Sequence, residues 1–142
     1  MMEQNMMIGD KMPDGAIYLG FYKGKDWFVA DKNAQDSNGK NLTRSFNEAA
    51  EFAKDSRAHG HDDWVVPDQD ILNEMYNSKD VGAFKDTYNG SSSYASTWYW
   101  SSTLNRADPD IAEAQRFSDG ISGRHLKGYT VSVRCVRSAP RP

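Results

Sequence analysis

Side chains that could do chemistry gather in five places along this chain. His59, His61, Asp62 and Asp63 form a His-x-His-Asp-Asp run, and imidazole with carboxylate is a donor set that zinc accepts. Asp108-Pro109-Asp110 holds two carboxylates around a proline. Calcium takes six to eight oxygens, so Glu113 or Asp119 would have to converge on them. Asp31, Asn33, Asp36 and Asn38 offer oxygens, but Gly39 and a closing Glu do not fall where an EF-hand loop needs them. Cys135 is the one cysteine and would need a base beside it to act as a nucleophile. Tyr88, Tyr94, Trp98 and Tyr99 surround Ser91-Ser92-Ser93. Rigid aromatic area mixed with small hydrogen-bonding residues is the chemistry of binding loops.

Plainer readings account for most of these. An Asp-Pro turn and a polar loop explain the two oxygen-rich stretches. Histidines at a helix C-terminus favour the helix dipole. No metal and no cofactor is therefore expected. Cys135 shares a face with Val131 and Val133 and reads as a buried small hydrophobe. No Ser-His-Asp order, phosphate loop or zinc-protease motif is present, so the sequence does not point to an enzyme. The expected ligand-binding residues are Tyr88, Tyr94, Trp98, Arg106, Asp108 and Asp110, in the loops Gly82 to Ser96 and Leu104 to Ala114.

The bulk composition sets bounds. A chain of 142 residues fits one domain, residues 1–142, with 1–12 and 138–142 as tails. Its 12% aromatic content offsets a modest 38% hydrophobic fraction, because large rings bury much area each. A net charge of −3 argues against a nucleic-acid partner held by a general positive field. A single cysteine leaves no internal disulfide, so the core must hold unaided. No stretch approaches the roughly 20 apolar residues a membrane span needs, so no membrane insertion is expected. Met1 to Met12 carries Glu3 and Asp10 and no apolar run, which does not read as a signal peptide. The expected location is the cytoplasm, a phage particle, or the exterior by a route without a Sec signal.

The elements that must position these residues follow from pattern. Ala16 to Gly20 and Trp27 to Ala30 are β-prone runs joined through Gly24, a hairpin signal. Ser45-Phe46-Asn47-Glu48 matches the capping box, and Phe46, Ala49, Ala50 and Ala53 follow at helical spacing, predicting a helix from Phe46 to Arg57. Pro67 and Asp68 open a second helix with Ile71, Leu72, Met75 and Tyr76 on one face. Trp98 to Thr103 and Ala114 to Phe117 predict strands, with Asp119-Gly120 as a hairpin turn. Tyr129 to Val136 alternates, Tyr129, Val131, Val133 and Cys135 against Thr130, Ser132 and Arg134, predicting a half-buried strand. Strands at both ends with helices between predict an α+β domain, mainly antiparallel, with two helices, long loops and adjacent termini. Ala16 to Gly20 should then lie near Val131 to Val136, with Trp64 and Trp100 buried.

Four segments, in order, carry a resemblance. Trp64-Val65-Val66-Pro67 before a helix, Tyr99-Trp100-Ser101-Ser102, Phe117-Ser118-Asp119-Gly120 and Val133-Arg134-Cys135-Val136-Arg137 resemble the motifs of the Lcl C-terminal-like domain family. That family occurs at the end of collagen-like adhesins and in bacterial and phage proteins. The resemblance implies a C-type-lectin-like fold, related to that of the formylglycine-generating, sulfatase-modifying enzymes. Val65 stands where the family pattern has Arg, so the ion pair of that Arg is missing. Those enzymes use reactive cysteines and are much longer. The expectation is therefore a non-enzymatic binding module whose loops recognise a protein or glycan ligand on a scaffold made by the motifs. The alternative is a phage-encoded or structural accessory protein acting on a host protein inside the cell. The sequence leaves oligomeric state open.

Overall fold

The computed structural model describes residues 6–35, 38–39, 42–90 and 95–140. Strands β1 (Ile17–Tyr22) and β2 (Lys25–Val29) form the first hairpin. Tyr22 pairs with Lys25, leaving a two-residue turn in which Lys23 and Gly24 both take positive φ, 55° and 78°. That is the mirror-image turn whose twist matches a hairpin, and only Gly adopts it freely. Helix α1 (Phe46–Asp55) follows, then a 3₁₀ turn at Ala58–Gly60 and helix α2 (Gln69–Asn77). Three strands come next, β3 (Trp98–Leu104), β4 (Ile111–Arg116) and β5 (Ser122–Leu126), and β6 (Val136–Ala139) closes the chain. The domain is α+β, with two antiparallel three-stranded sheets ordered β1-β2-β6 and β3-β4-β5.

Both helices begin as the sequence predicts. The Ser45 hydroxyl accepts from the Glu48 N–H, and the Glu48 carboxylate accepts from the Ser45 N–H at 2.9 Å. The Asp68 carboxylate caps α2 by accepting from the Ile71 N–H at 2.9 Å. Helix α1 buries Ala49 and Ala53 and lies on β3, while α2 buries Ile71, Leu72 and Met75 and lies on β3, β4 and β1. Two apolar clusters result. One gathers Trp64, Trp98 and Trp100 with Ala49 and Ala53, and the other gathers Tyr99 and Phe117 with the α2 residues. Trp64 and Trp100 are both buried, and their ring N–H groups donate to the carbonyls of Ala58 and Arg44. Buried indoles usually take such a partner.

The closing segment differs from its pattern. β6 pairs with β2 and not with β1, and its regular part starts only at Val136. From Val131 to Val136 the chain is extended but bonds to a different neighbour almost every residue. Val131 exchanges hydrogen bonds with Arg44, Ser132 with Trp98 and Trp100, and Val136 with Val65. Between them the Val133 carbonyl accepts from Ala34 and the Cys135 carbonyl from Ala30. The segment is thus a seam between the two sheets. Its second face, expected in water, is buried too: Ser132 and Arg134 are 0% exposed. A strand flanked by sheets on both sides has no solvent face, so alternation there sorts residues between two interiors.

The chain start also departs from expectation. Gly9 and Asp10 bond to Tyr18, Met12 to Ala16, and the Ala83 N–H to the Gly9 carbonyl, so residues 9–12 cover the outer edge of β1. At the other end, Ser138 and Ala139 belong to β6.

Candidate functional site

Three surfaces or clusters hold the residues with chemical potential. The first is the histidine run. The His59 Nδ1–H donates to the Asp14 carbonyl at 3.0 Å, and its Nε2 lies 3.4 Å from the Asp31 N–H, which donates to it. His61 Nε2 meets the Asp14 carboxylate at 2.7 Å. His59 itself sits at φ 57° and its ring fills the space a side chain at Gly15 would need. The two rings also lie against Trp64 at 5.9 and 6.4 Å between centroids. The pair latches the chain start and the Asp31 loop onto the Trp64 segment. Asp63 turns away from this cluster and takes both arms of the Arg137 guanidinium at 2.7 and 3.0 Å. That fork holds the Asp63 carboxyl below the usual carboxylate range. Among the described residues, no three or more His, Cys, Asp or Glu side chains converge as a metal site.

The second is the pair of loops expected to bind a ligand. The structure splits their residues. Tyr88 packs its ring between Phe117 at 4.9 Å, Tyr99 at 5.8 Å and Phe84 at 6.1 Å, and burial pushes its hydroxyl pKa well above the usual range. Trp98 is 5% exposed, with its ring against His125 at 4.7 Å and the Arg116 guanidinium at 5.5 Å. Trp98 thus offers a ligand little surface, whereas Tyr88 is half-buried and lines an open pocket of about 240 Å³ with Asp86 and Phe117. Tyr94 lies outside the described residues. Arg106, Asp108 and Asp110 sit on the β3–β4 turn, at the far end of β3 from Trp98, roughly 20 Å away at the rise of a strand. There the Asn105 side-chain oxygen accepts from the N–H groups of Ala107 and Asp108, and the Asp108 carboxylate from that of Asp110. Asn105 and Asp108 shape the turn, and Arg106 and Asp110 are exposed on it. Asn33, one of the loop oxygens, faces inward to Arg134 at 3.3 Å.

Arg134 holds one face of the Tyr88 ring. Its Nε donates to the Ala30 carbonyl at 2.7 Å and its Nη1 to the Thr87 carbonyl at 3.0 Å, while its guanidinium lies 4.3 Å over the Tyr88 ring. Backbone carbonyls and an aromatic face take up this buried cation. Cys135, beside it, is buried, and burial pushes its thiol up to about 12, so it is a neutral thiol at physiological pH.

The third surface was not singled out from the sequence. An open groove of about 680 Å³ runs between α1 and the Trp64–Asp68 segment. Trp27, Val65, Val66 and Pro67 give it an apolar floor, and Lys54, Asp62 and Ser102 add polar groups. Val65 is 50% exposed because the extended segment turns Trp64 and Val66 inward and Val65 outward. An apolar residue at an outward position of that motif was the available signal. The volume lies within the range of small-ligand clefts. A second open groove of about 710 Å³ flanks α1 on its other side, where the Arg44 guanidinium covers the Phe52 ring at 4.3 Å.

The motif segments have the structural roles their chemistry suggests. Ser101 donates its hydroxyl to the Glu113 carbonyl at 2.7 Å, and the Ser102 N–H donates to the Pro67 carbonyl, joining two of the motifs. Asp119 accepts both arms of Arg116, and Gly120 turns the β4–β5 hairpin at φ 83° with the Tyr76 ring against it. No curated protein matches the chain. The family model described as the Lcl C-terminal domain matches residues 22–137, a span that contains the β3-β4-β5 sheet, strand β2, both helices and all four motifs. The chain belongs to the Lcl C-terminal domain family.

Proposed function

We propose that this domain is a binding module that holds a protein or glycan ligand and carries out no reaction on it. The observation that carries the reading is the groove floored by Trp27, Val65 and Pro67, with Lys54 and Asp62 on its walls. A half-buried indole beside a proline gives a flat apolar platform on which a sugar ring or an apolar side chain can lie. Carboxylate, ammonium and hydroxyl groups around it supply the directional bonds that fix orientation. The same groove lies on the motif segment, where the helices and both sheets hold it rigid.

The surroundings support binding over catalysis. The one thiol is neutral and buried, and the His59 and His61 rings are engaged with Asp14 and Asp31 as a latch. The Arg106 to Asp110 turn remains a second contact surface on the same reading.

Filling the groove tests the proposal. Val65→Arg places a long cation over the floor at an exposed position, where stability should shift by no more than about 0.5 kcal/mol. Binding to a glycan array, or to an immobilised partner protein, should fall while the melting temperature holds. Retention of full binding by this variant would remove the groove from the reading.

A further inference from the structure

The two sheets have four edges, and among the described residues irregular chain bonds to part of three of them. Residues 9–12 bond along the start of β1, Val65 bonds to the β6 edge at Val136, and Ser132 and Pro67 bond along β3. β5 is the exception. Its pairing with β4 includes the Arg116 N–H to the Ile121 carbonyl at one end and the Lys127 N–H to the Asp110 carbonyl at the other. Ladder bonds alternate, so residues 121, 123, 125 and 127 bond inward to β4. Ser122, Arg124 and Leu126 therefore turn their N–H groups outward. Among the described residues no backbone group meets those of Ser122 or Arg124. Unpaired edges template the addition of another strand, and proteins ordinarily blunt them.

The side chains around this edge say what would add to it. Arg124 is exposed and, among the described residues, reaches only to Glu113, at 3.9 Å. Leu126 is 56% exposed and stands opposite Ile111 on the same face. The register that pairs all of β5 with a second copy sets Arg124 against Arg124, and like charges opposite each other destabilise a sheet. A strand with a carboxylate at that place removes the clash and gains an ion pair.

We propose that β5 is a docking edge for an extended segment of a partner protein carrying an acidic residue opposite Arg124 and an apolar residue two positions away opposite Leu126. The segment adds as a fourth strand to the β3-β4-β5 sheet. Its backbone bonds to Ser122 and Arg124 and to the Leu126 N–H supply affinity, the Leu126 carbonyl being held by the Tyr129 N–H, and the two side-chain pairs set register. The site is separate from the groove at Val65, and neither depends on the other.

The probe is a synthetic Val/Thr-rich peptide with one central Glu and a Val two residues on, titrated into the full chain and followed by amide resonances. Shifts and slowed hydrogen exchange should concentrate at Ser122, Arg124 and Leu126. A Glu→Lys peptide should bind about fivefold more weakly or worse, the effect of losing one exposed ion pair, and Arg124→Glu should reverse that preference. Ser122→Pro removes an outward donor where an edge strand tolerates proline, so it should melt near wild type and bind poorly. Unchanged β5 amides at millimolar peptide would overturn the proposal. Equal affinity for the Glu and Lys peptides, or dimerisation of the free chain through β5, would do the same. The Val65→Arg variant should take the peptide as wild type does, which keeps this test apart from that of the groove.

Discussion

Arg124 and Arg134 lie close in sequence, and the fold treats them in opposite ways. Arg134 is 0% exposed in the seam and is taken up by the Ala30 and Thr87 carbonyls and the Tyr88 ring. Arg124 is exposed on β5 with a distant carboxylate. The seam segment has neighbours on both sides, whereas β5 has β4 on one side and, among the described residues, no strand on the other. Position in the sheet order, not residue type, decides whether an arginine acts as an internal brace or as a free contact.

The largest effect that could break this contrast is at the brace. Arg134→Ala leaves the Ala30 and Thr87 carbonyls without their donor and opens a space beneath Tyr88. The expected loss is about 2–4 kcal/mol by denaturant titration. A variant that melts like wild type would show that the seam does not lock the sheets together. Next in size is the turn that aims β5. An added Cβ at Gly120 would lie 2.5 Å from the Tyr76 ring, at φ 83°. Gly120→Ala should cost about 1–3 kcal/mol, and a neutral result would mean that α2 does not fix this hairpin.

A third, smaller effect sharpens the boundary between the two regions. His125 on β5 meets Trp98 and Trp100 and stacks on Tyr129, and burial lowers its pKa from 6.5. The neutral ring fits the folded site, and the unfolded chain takes up the proton more readily. Its stabilising contribution is therefore whole above pH 6.5 and fades as the pH falls toward the lowered folded value. His125→Phe should lose less stability than wild type on going from neutral to mildly acid pH. Parallel curves for the two proteins would place the ring in water. The smallest effect is expected at Arg124→Ala, which should change stability by no more than about 0.5 kcal/mol. A larger loss would mean that the Glu113 contact is structural and the arginine is not free to meet a partner.

Much of this organisation was legible in the residues. The capping box at Ser45, the Asp68 cap, the Asp119-Gly120 turn and the buried Trp64 and Trp100 all follow local rules that the structure obeys. The seam was legible only as an extended alternating run. Nothing local in Ser132 and Arg134 says that a second sheet waits on their side, while Thr130 stays exposed. β5, Ser-Gly-Arg-His-Leu, has too little β-branched or apolar character to stand out, and it forms because the hairpin turn delivers it to β4. The candidate site divides for the same reason. Arg106 and Asp110 are exposed on their turn, while of the aromatics expected at the contact Trp98 is claimed by the interior and Tyr88 is half-buried. Val65 carries its signal in an outward apolar position, readable once Trp64 is placed inside.

The seam also imposes an order of events in time. Arg134 closes on Ala30 across a separation of 104 residues, and Val136 leads into the strand that completes the first sheet. A growing chain can form the β1–β2 hairpin and both helices early, but neither sheet gains its lining until residues 131–139 are free. Such distant pairings are slow because loop closure precedes any gain from contact. The domain should thus assemble in one late, cooperative step once residues 131–139 are available. A nascent chain stalled at Lys127 should exchange its sheet amides almost as fast as an unfolded one, and the full chain should protect them all together.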